Sequence, residues 1–328
     1  MTVPTLPTHD AGETQAVLSA ALRDVHGPDA RLEGWTADFG FTEHGKRRVV
    51  RYELRARVAS APDVRHDQWV GKFYEREQDA RRVADVLEVL ADGACGARGG
   101  LRVPRVVAYH EPRRQLLLTY EHGEPVSSAI AHDTNTVLAA MGRALAALHA
   151  TRLPLDAIST PAAVLADLHS RIEDLCAWLP GEATALRRAW TTLERQVPPL
   201  PVAPSFVHGD FGPANLLWSS GQIVVLDFDK CANGDPALDL GNLLAQLRRM
   251  TVRKPDRLRD FASARERVLG AYRGWAAPDP GLDERVGWYE RATLLRKIHG
   301  FVCKPPRHRE PDGLRHPHAE ASRLLSLV

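Results

Sequence analysis

The stretch His208-Gly209-Asp210-Phe211-Gly212-Pro213-Ala214-Asn215, followed by Ile223-Val224-Val225-Leu226-Asp227-Phe228-Asp229, decides how this chain is to be read. Gly209, Gly212 and Pro213 crowd the first segment and predict a loop. The apolar run 223–226 predicts a short buried strand, with Asp227 where it ends. A loop carrying Asp210 and Asn215 beside a strand ending in Asp227 gathers oxygen atoms at one point. Such oxygens repel one another unless a hard cation joins them, and Mg²⁺ takes oxygen ligands of this kind.

Composition narrows the rest. A chain of 328 residues accommodates two lobes with sizeable cores. Hydrophobic content of 44% and charged content of 26% are those of a soluble globular protein. A net charge of +2 lacks the basic excess of a polyanion binder, so nucleic acid is not expected as a partner. Arginines recur between Arg248 and Arg273, but acids and apolar residues interrupt them, which reads as a solvated helix face. Cys95, Cys176, Cys231 and Cys303 form no CxxC pair, so neither a disulfide framework nor a zinc site is expected. Residues 1–12, read as a flexible start, lack the basic start and apolar core of a signal peptide. No apolar run approaches the ~20 residues needed to cross a bilayer. A cytoplasmic protein with no membrane partner is the expectation.

Outward from the opening stretch, hydrophobic periodicity divides the chain. Residues 13–25 carry helical spacing, and 31–42, 48–58 and 68–74 read as strands. In the second strand Val50, Tyr52, Leu54 and Ala56 alternate with Arg51, Glu53, Arg55 and Arg57, the two-residue period of a sheet with one wet face. A helix over 77–91 shows Val83, Val86, Leu87 and Leu90 on one side. Two further strands are expected at 103–109 and 115–120, joined by the turn Glu111-Pro112-Arg113. From Thr134 onward the chain is mostly helical, with helices expected over 135–150, 161–179, 183–196, 236–250, 259–275 and 283–300. His308, His316 and His318 sit among Arg and Pro residues and read as a solvated tail.

The form H-x-D-x-x-x-x-N followed by D-F-x resembles the catalytic-loop and metal-site signature of kinases. With Gly in second place, and with Leu145-Ala146-Ala147-Leu148-His149 before it and Gly234-Asp235-Pro236-Ala237-Leu238-Asp239-Leu240 after it, the chain resembles the aminoglycoside phosphotransferase and choline kinase superfamily. The resemblance covers the C-terminal two-thirds. It implies an α+β, two-lobed protein-kinase-like fold. A small antiparallel-sheet lobe with one main helix, over 13–120, would bind nucleotide, and a larger helical lobe over 121–328 would hold catalytic and substrate-binding residues.

In that family such residues move the γ-phosphoryl group of ATP to a small-molecule hydroxyl. Carried over, Asp210 is the catalytic base and His208 positions the loop. Asn215 and Asp227 hold Mg²⁺. Asp229 is either a further metal contact or an exposed loop carboxylate beside Lys230. Asp235 suits a helix start, and Asp239 would anchor the catalytic loop from below. Lys72 would bind the α- and β-phosphates, or else is a lysine snorkelling from an ordinary strand. Adenine would lie against the backbone of Tyr120, Glu121 and His122.

Two features depart from the family pattern. The helix position that usually supplies a glutamate partner for the lysine is Val83, leaving Glu77 or Asp79 as substitutes. Residues 37–45 hold two glycines but no G-x-G-x-x-G. Aminoglycosides, choline-like alcohols, sugars and amino alcohols are all open as acceptors. Glu173, Asp174, Glu182, Asp283, Glu284 and Glu290 are available to meet a cation, but their helices carry arginines as well. A nucleotide-binding regulator with little catalysis is the alternative, and oligomeric state is undetermined.

Overall fold

The computed structural model describes residues 10–39, 48–59, 63–93, 100–153, 155–199, 204–303 and 317–327. Most of the expected phosphate-covering segment 37–45, as well as Cys95, His308 and His316, lies outside them. In chain order the first elements are α1 (Ala11–His26), β1 (Arg31–Asp38), β2 (Arg48–Arg57), β3 (Arg65–Phe73), α2 (Glu77–Asp92), β4 (Leu101–Arg102), β5 (Val106–His110) and β6 (Gln115–Thr119). Next come β7 (Glu124–Pro125), α3 (Val126–His132), α4 (Thr134–Ala150), α5 (Pro161–Trp178), α6 (Ala183–Arg195), β8 (Ser205–Val207), β9 (Leu216–Ser219) and β10 (Gln222–Val225). The last are β11 (Ala232–Gly234), α7 (Ala237–Arg253), α8 (Phe261–Arg273), α9 (Leu282–Val302) and α10 (Pro317–Leu325). Two compact units result, one of Met1–Asp92 with Val103–His122, the other of Gly93–Arg102 with Gly123–Val328.

In the first unit five antiparallel strands run in the order β1-β2-β3-β6-β5. The alternation along β2 has the expected consequence: Val50, Tyr52, Leu54 and Ala56 are buried, while Glu53, Arg55 and Arg57 are exposed. Helix α1 starts where the Asp10 carboxylate accepts from Gly12 N at 2.7 Å and Glu13 N at 3.3 Å, a side-chain N-cap. Its Val17, Leu18, Ala21 and Leu22 share one core with the buried residues of β2 and with Trp69, Phe73 and Leu117. On α2 the predicted stripe of Val83, Val86, Leu87 and Leu90 is buried. The expected turn between β5 and β6 is a short 3₁₀ segment, Glu111–Arg113, closed by Arg114 in the left-handed region. Its Arg113 is buried, donates to Thr14 Oγ1 at 3.1 Å, and lies over the Phe73 ring.

The second unit is helical around two small sheets. The first sheet has the order β4-β10-β9-β7, the second pairs β11 with β8. Strands β9 and β10 form a hairpin through Ser220 and Gly221, both at positive φ (51° and 80°), as a two-residue primed turn requires. Helix α7 packs along α9, α4 along α8, and α5 against both α6 and α9. Trp288 on α9 is buried and donates through Nε1 to Leu193 O at 3.0 Å, tying α9 to α6. Gly241 sets the approach of α7 to α9. A Cβ there would fall 2.6 Å from Tyr289 Cβ and 2.7 Å from the Glu290 backbone nitrogen.

Three expectations are corrected. Residues 317–325 are not a solvated tail but the helix α10, because Glu320, Ala321, Leu324 and Leu325 bury against the unit; only His318, of the three histidines, is described, and it is exposed. The arginines from 248 onward are not merely a wet helix face. Arg248 reaches Glu290 at 2.6 Å and stacks on Phe261, while Arg249 reaches Glu320 at 2.6 Å and stacks on Phe301. Helix α3 and the short strands β4, β7, β8, β9 and β11 were not expected, being too short to show a period. Among the described residues no helix is long and apolar enough to cross a membrane.

Gly241→Ala should destabilise the protein by about 1–3 kcal/mol, since the atoms it meets are backbone and Cβ positions that cannot swing away. Urea denaturation followed by circular dichroism would read the shift.

Candidate active site

Loop 208–215 is held from below by one carboxylate. Asp239, fully buried in the first turn of α7, accepts from the backbone N–H of His208 at 2.6 Å and of Gly209 at 2.8 Å. A third donor reaches the same carboxylate: His149 Nε2, at 3.2 Å, from the end of α4. The other ring nitrogen of His149 is 3.0 Å from the Tyr272 hydroxyl on α8, so the imidazole links Asp239 to α8. Burial, together with Asp279, Asp239 and Asp235, drives the Tyr272 hydroxyl well above its ordinary pKa, keeping it a donor.

His208 is fully buried, and both its ring nitrogens are engaged. Nε2 donates to Leu226 O at 2.9 Å, and Nδ1 accepts from Asp210 N at 3.2 Å. The ring therefore joins the loop to the end of β10 and has no nitrogen left to offer a substrate. Gly209 adopts φ +77°, and a Cβ there would collide with the Lys230 carbonyl. Glycine is thus required at the second position of this loop both by conformation and by space. Asn242, one turn beyond Asp239 on α7, donates to Gly209 O at 3.2 Å, and its Oδ1 accepts from Thr293 at 2.6 Å and Arg296 at 3.0 Å.

The loop and the strand end are joined a second time at Asn215. Its backbone carbonyl accepts from Leu226 N at 2.9 Å, and its side-chain Nδ2 donates to Asp210 O at 3.0 Å. That orientation leaves Oδ1 as the atom available to a cation. Asp227 follows at φ 64°, ψ 68°, a left-handed conformation that costs a non-glycine residue about 1 kcal/mol or more. Its side chain is exposed. Asp229, expected either on the metal or as an exposed loop carboxylate, is buried at 6% exposure, so the exposed alternative is corrected. An amide oxygen with one or two carboxylates suits Mg²⁺, which keeps waters and takes substrate phosphates as further ligands. Among the described residues no three His, Cys, Asp or Glu side chains converge on one point.

Asp210 itself is partly buried and meets Lys230 Nζ at 2.5 Å. Burial resists its charge, but Lys230, Lys297 and Arg296 outweigh that and hold the carboxyl below its ordinary range. Since Lys230 is 59% exposed, the pair contributes only roughly 0–1 kcal/mol and opens readily. Lys297 is the reverse case. Burial, reinforced by Arg296, Lys230 and Arg249 and opposed by Asp210, pushes its ammonium down to about 8.

The remaining expected residues lie in the first unit. Lys72 shares a face of β3 with Val70, is 9% exposed, and has Nζ 5.9 Å from the centre of the Tyr74 ring. Glu77 reaches Arg81 at 2.6 Å; Asp79 reaches Arg76 at 2.9 Å and Arg82 at 3.7 Å. Tyr120 N donates to Gln68 O at 3.0 Å, and the Tyr120 and His122 rings meet edge to face. Both rings line a concavity of about 370 Å³ with Glu53, Leu54, His66, Asp67 and Gln68. Glu121 accepts from Thr119 Oγ1 at 2.8 Å.

A family profile described as "Phosphotransferase enzyme family" matches residues 57–281, well over half of the chain. The chain belongs to that family. Its fold recurs in solved structures of low identity. The macrolide 2'-phosphotransferase MphH from Brachybacterium faecium is 21% identical, with TM-score 0.51 over 89% of this chain and 99% of that one. Aminoglycoside phosphotransferase APH(4)-Ia is 14% identical, with TM-score 0.57 over 97% and 98%. Choline kinase LicA from Streptococcus pneumoniae is 13% identical, with TM-score 0.54 over 96% and 100%. No curated protein sequence matches the chain. The expected superfamily and the kinase-like α+β fold are thus both found.

Sequence reasoning overlooked several residues that shape this phosphotransferase site. Asn242 is signalled only by its i+3 spacing from Asp239. Arg285 meets Asp235 at 2.8 Å and Asp279 at 2.5 Å, and Lys297 stands in the expected helix over 283–300 but was not singled out. Asp235 Oδ1 accepts from Ala237 N at 2.9 Å, so the expected helix start is built as anticipated.

Asp239→Ala strands two backbone N–H groups at roughly 1–3 kcal/mol each, so the expected loss is about 2–6 kcal/mol, read by urea denaturation. Lys297→Met carries a separate signature. Between about 8 and the ordinary lysine value of 10.5 the folded protein has released this proton while the unfolded chain keeps it, so wild-type stability rises with pH there. The variant should be at least as stable as wild type at neutral pH, with the gap closing across that window in thermal melts.

Proposed function

We propose that this enzyme transfers the γ-phosphoryl group of ATP to a hydroxyl of a small molecule, with Asp210 as base. The observation that carries the reading is the double joining of loop 208–215 to the end of β10, through His208 to Leu226 O and Asn215 O to Leu226 N. It fixes the segment bearing Asp210 and Asn215 against the segment bearing Asp227 and Asp229. Structures of the same fold include an ADP-bound aminoglycoside phosphotransferase and a complex of another with ATP and streptomycin, which supports ATP as donor.

In this reading the Asp210 carboxylate orients the acceptor hydroxyl and takes its proton as the oxygen bonds to the γ-phosphorus. The bond from that phosphorus to the β–γ bridging oxygen breaks, and ADP leaves. A carboxyl held below its ordinary range is ionised and ready at neutral pH, and the weak Lys230 contact yields to the incoming hydroxyl. Asn215 Oδ1, Asp227 and Asp229 would hold Mg²⁺, which neutralises charge on the phosphates when bound. His208 acts by positioning Asp210, through the bond from Asp210 N to Nδ1. Lys72 serves the α- and β-phosphates, and the backbone of Tyr120, Glu121 and His122 serves the adenine.

The test is magnesium-dependent ADP release with a panel of hydroxyl acceptors. Asp210→Ala should lower kcat by about 10²–10⁴-fold with little change in nucleotide affinity. Nucleotide binding with no Asp210-dependent turnover across the panel would favour a binding protein instead.

A further inference from the structure

We propose that Asn242 is a positioning residue for this reaction: its amide, fixed in direction by Thr293 and Arg296 of α9, holds the peptide between Gly209 and Asp210 and so aims the Asp210 carboxylate. This rests on Asp210 being the base, and it names the side chains that keep that base in place.

The need for such a clamp comes from Gly209. A glycine at φ +77° has no Cβ to restrict its dihedrals, so the planar peptide that follows it turns over easily and carries Asp210 with it. Both polar groups of that peptide are held. The Asp210 N–H donates to His208 Nδ1 at 3.2 Å, and the Gly209 carbonyl accepts from Asn242 Nδ2 at 3.2 Å. On the other side of Gly209, Asp239 accepts from its N–H at 2.8 Å. Without Asn242 the carbonyl end of the Gly209–Asp210 peptide loses this side-chain clamp.

An amide can do this in only one of its two orientations. The Gly209 carbonyl only accepts and the Arg296 guanidinium only donates, so Nδ2 must face the loop and Oδ1 must face α9. Oδ1 accepts from Thr293 Oγ1 at 2.6 Å and from Arg296 Nη2 at 3.0 Å. Thr293 and Arg296 are three positions apart, neighbours on one face of α9. Asn242 is 1% exposed and Thr293 3%, so bulk water does not compete for the amide. Farther along α7, Gln246 Nε2 donates to Phe211 O at 3.3 Å and to Asn242 O at 3.2 Å. Positions 239, 242 and 246 follow one face of α7 and meet the loop in order: the N–H groups of His208 and Gly209, then Gly209 O, then Phe211 O. Of this polar stripe, Asn242 is the member that touches the peptide of Asp210 itself.

The experiment uses the full chain with ATP and magnesium, and choline, kanamycin or myo-inositol as acceptor. Asn242→Asp keeps the shape of the side chain but turns the donor facing Gly209 O into an acceptor. Thr293→Val removes one donor to Oδ1, whereas Thr293→Ser keeps that donor and removes a methyl group. We expect kcat to fall by about 10²-fold in Asn242→Asp and by roughly five- to ten-fold in Thr293→Val, with KM for ATP within about two-fold. Thr293→Ser, the conservative variant, should recover kcat to within about two-fold of wild type whatever its melting temperature, because activity follows the hydroxyl. A merely structural role would make kcat follow the melt instead. Hydrogen exchange of the amides in 208–212, measured without ligands, should quicken by about five-fold or more in Asn242→Asp and Thr293→Val but not in Thr293→Ser. Equal kcat in Thr293→Val and Thr293→Ser, or unchanged loop exchange in both Asn242→Asp and Thr293→Val, overturns the proposal. Turnover abolished by Asp210→Ala but intact in Asn242→Asp overturns this proposal alone. Turnover that survives Asp210→Ala removes Asp210 as base and this proposal with it, so the two failures are told apart.

Discussion

A single buried carboxylate, that of Asp239, is the constraint on which this active site depends. It has no exposure to water and three donors: two backbone N–H groups of the catalytic loop and the imidazole of His149. A carboxylate in such a place is tolerable only because its lone pairs are met, and removing any donor would leave a costly remainder. The three short motifs of the sequence therefore touch one another in space. The Leu-His helix end, the His-Gly-Asp loop and the Asp-Leu helix start are parts of one hydrogen-bonded unit. The backbone of Asp210 is set by α7, and α7 in turn by its close packing on α9 at Gly241.

Interactions around Asp210 fall into two strengths. Those behind it are part-buried and closed: His208 to Leu226 O, Asn215 to Asp210 O, Asn242 to Gly209 O. The contact in front, to Lys230, is exposed and loose. A rigid back and a changeable front suit the role proposed for Asp210, in which the group stays in place while its partner changes from a lysine to a hydroxyl. The left-handed backbone of Asp227 belongs to the same logic. Strain at this exposed residue is retained because the hairpin of β9 and β10 over-determines its backbone.

How much could be read from the residues alone follows from range. The two-residue alternation of β2 and the helical stripe of α2 are local patterns, and each buries the side it predicts. The boundaries of α4, α5, α6 and α9 were legible for the same reason. Strands of two to four residues carry no period, so β4, β7, β8, β9 and β11 exist only through their partners. Helix α10 escaped because its Glu320 looks solvent-facing until Arg249 and Arg253 arrive from α7. Val83 was noticed as an unusual residue for its helix position, and its burial shows that this side of α2 is given to packing.

The amino-acid sequence by itself determined the local frame of the proposed site: a loop with Asp210 and Asn215, a strand leading to Asp227, and the glycine between His208 and Asp210. Those are short-range facts, because turn residues and strand ends are dictated by neighbours in the chain. Tertiary structure alone decided the electrostatics. Acids and arginines were interleaved on the helices of the second unit, and only packing settled which of them neutralise one another. Charge acts through space rather than along the chain, so the pairing of Asp283 and Glu290 with arginines could be known only once α7, α8 and α9 were placed.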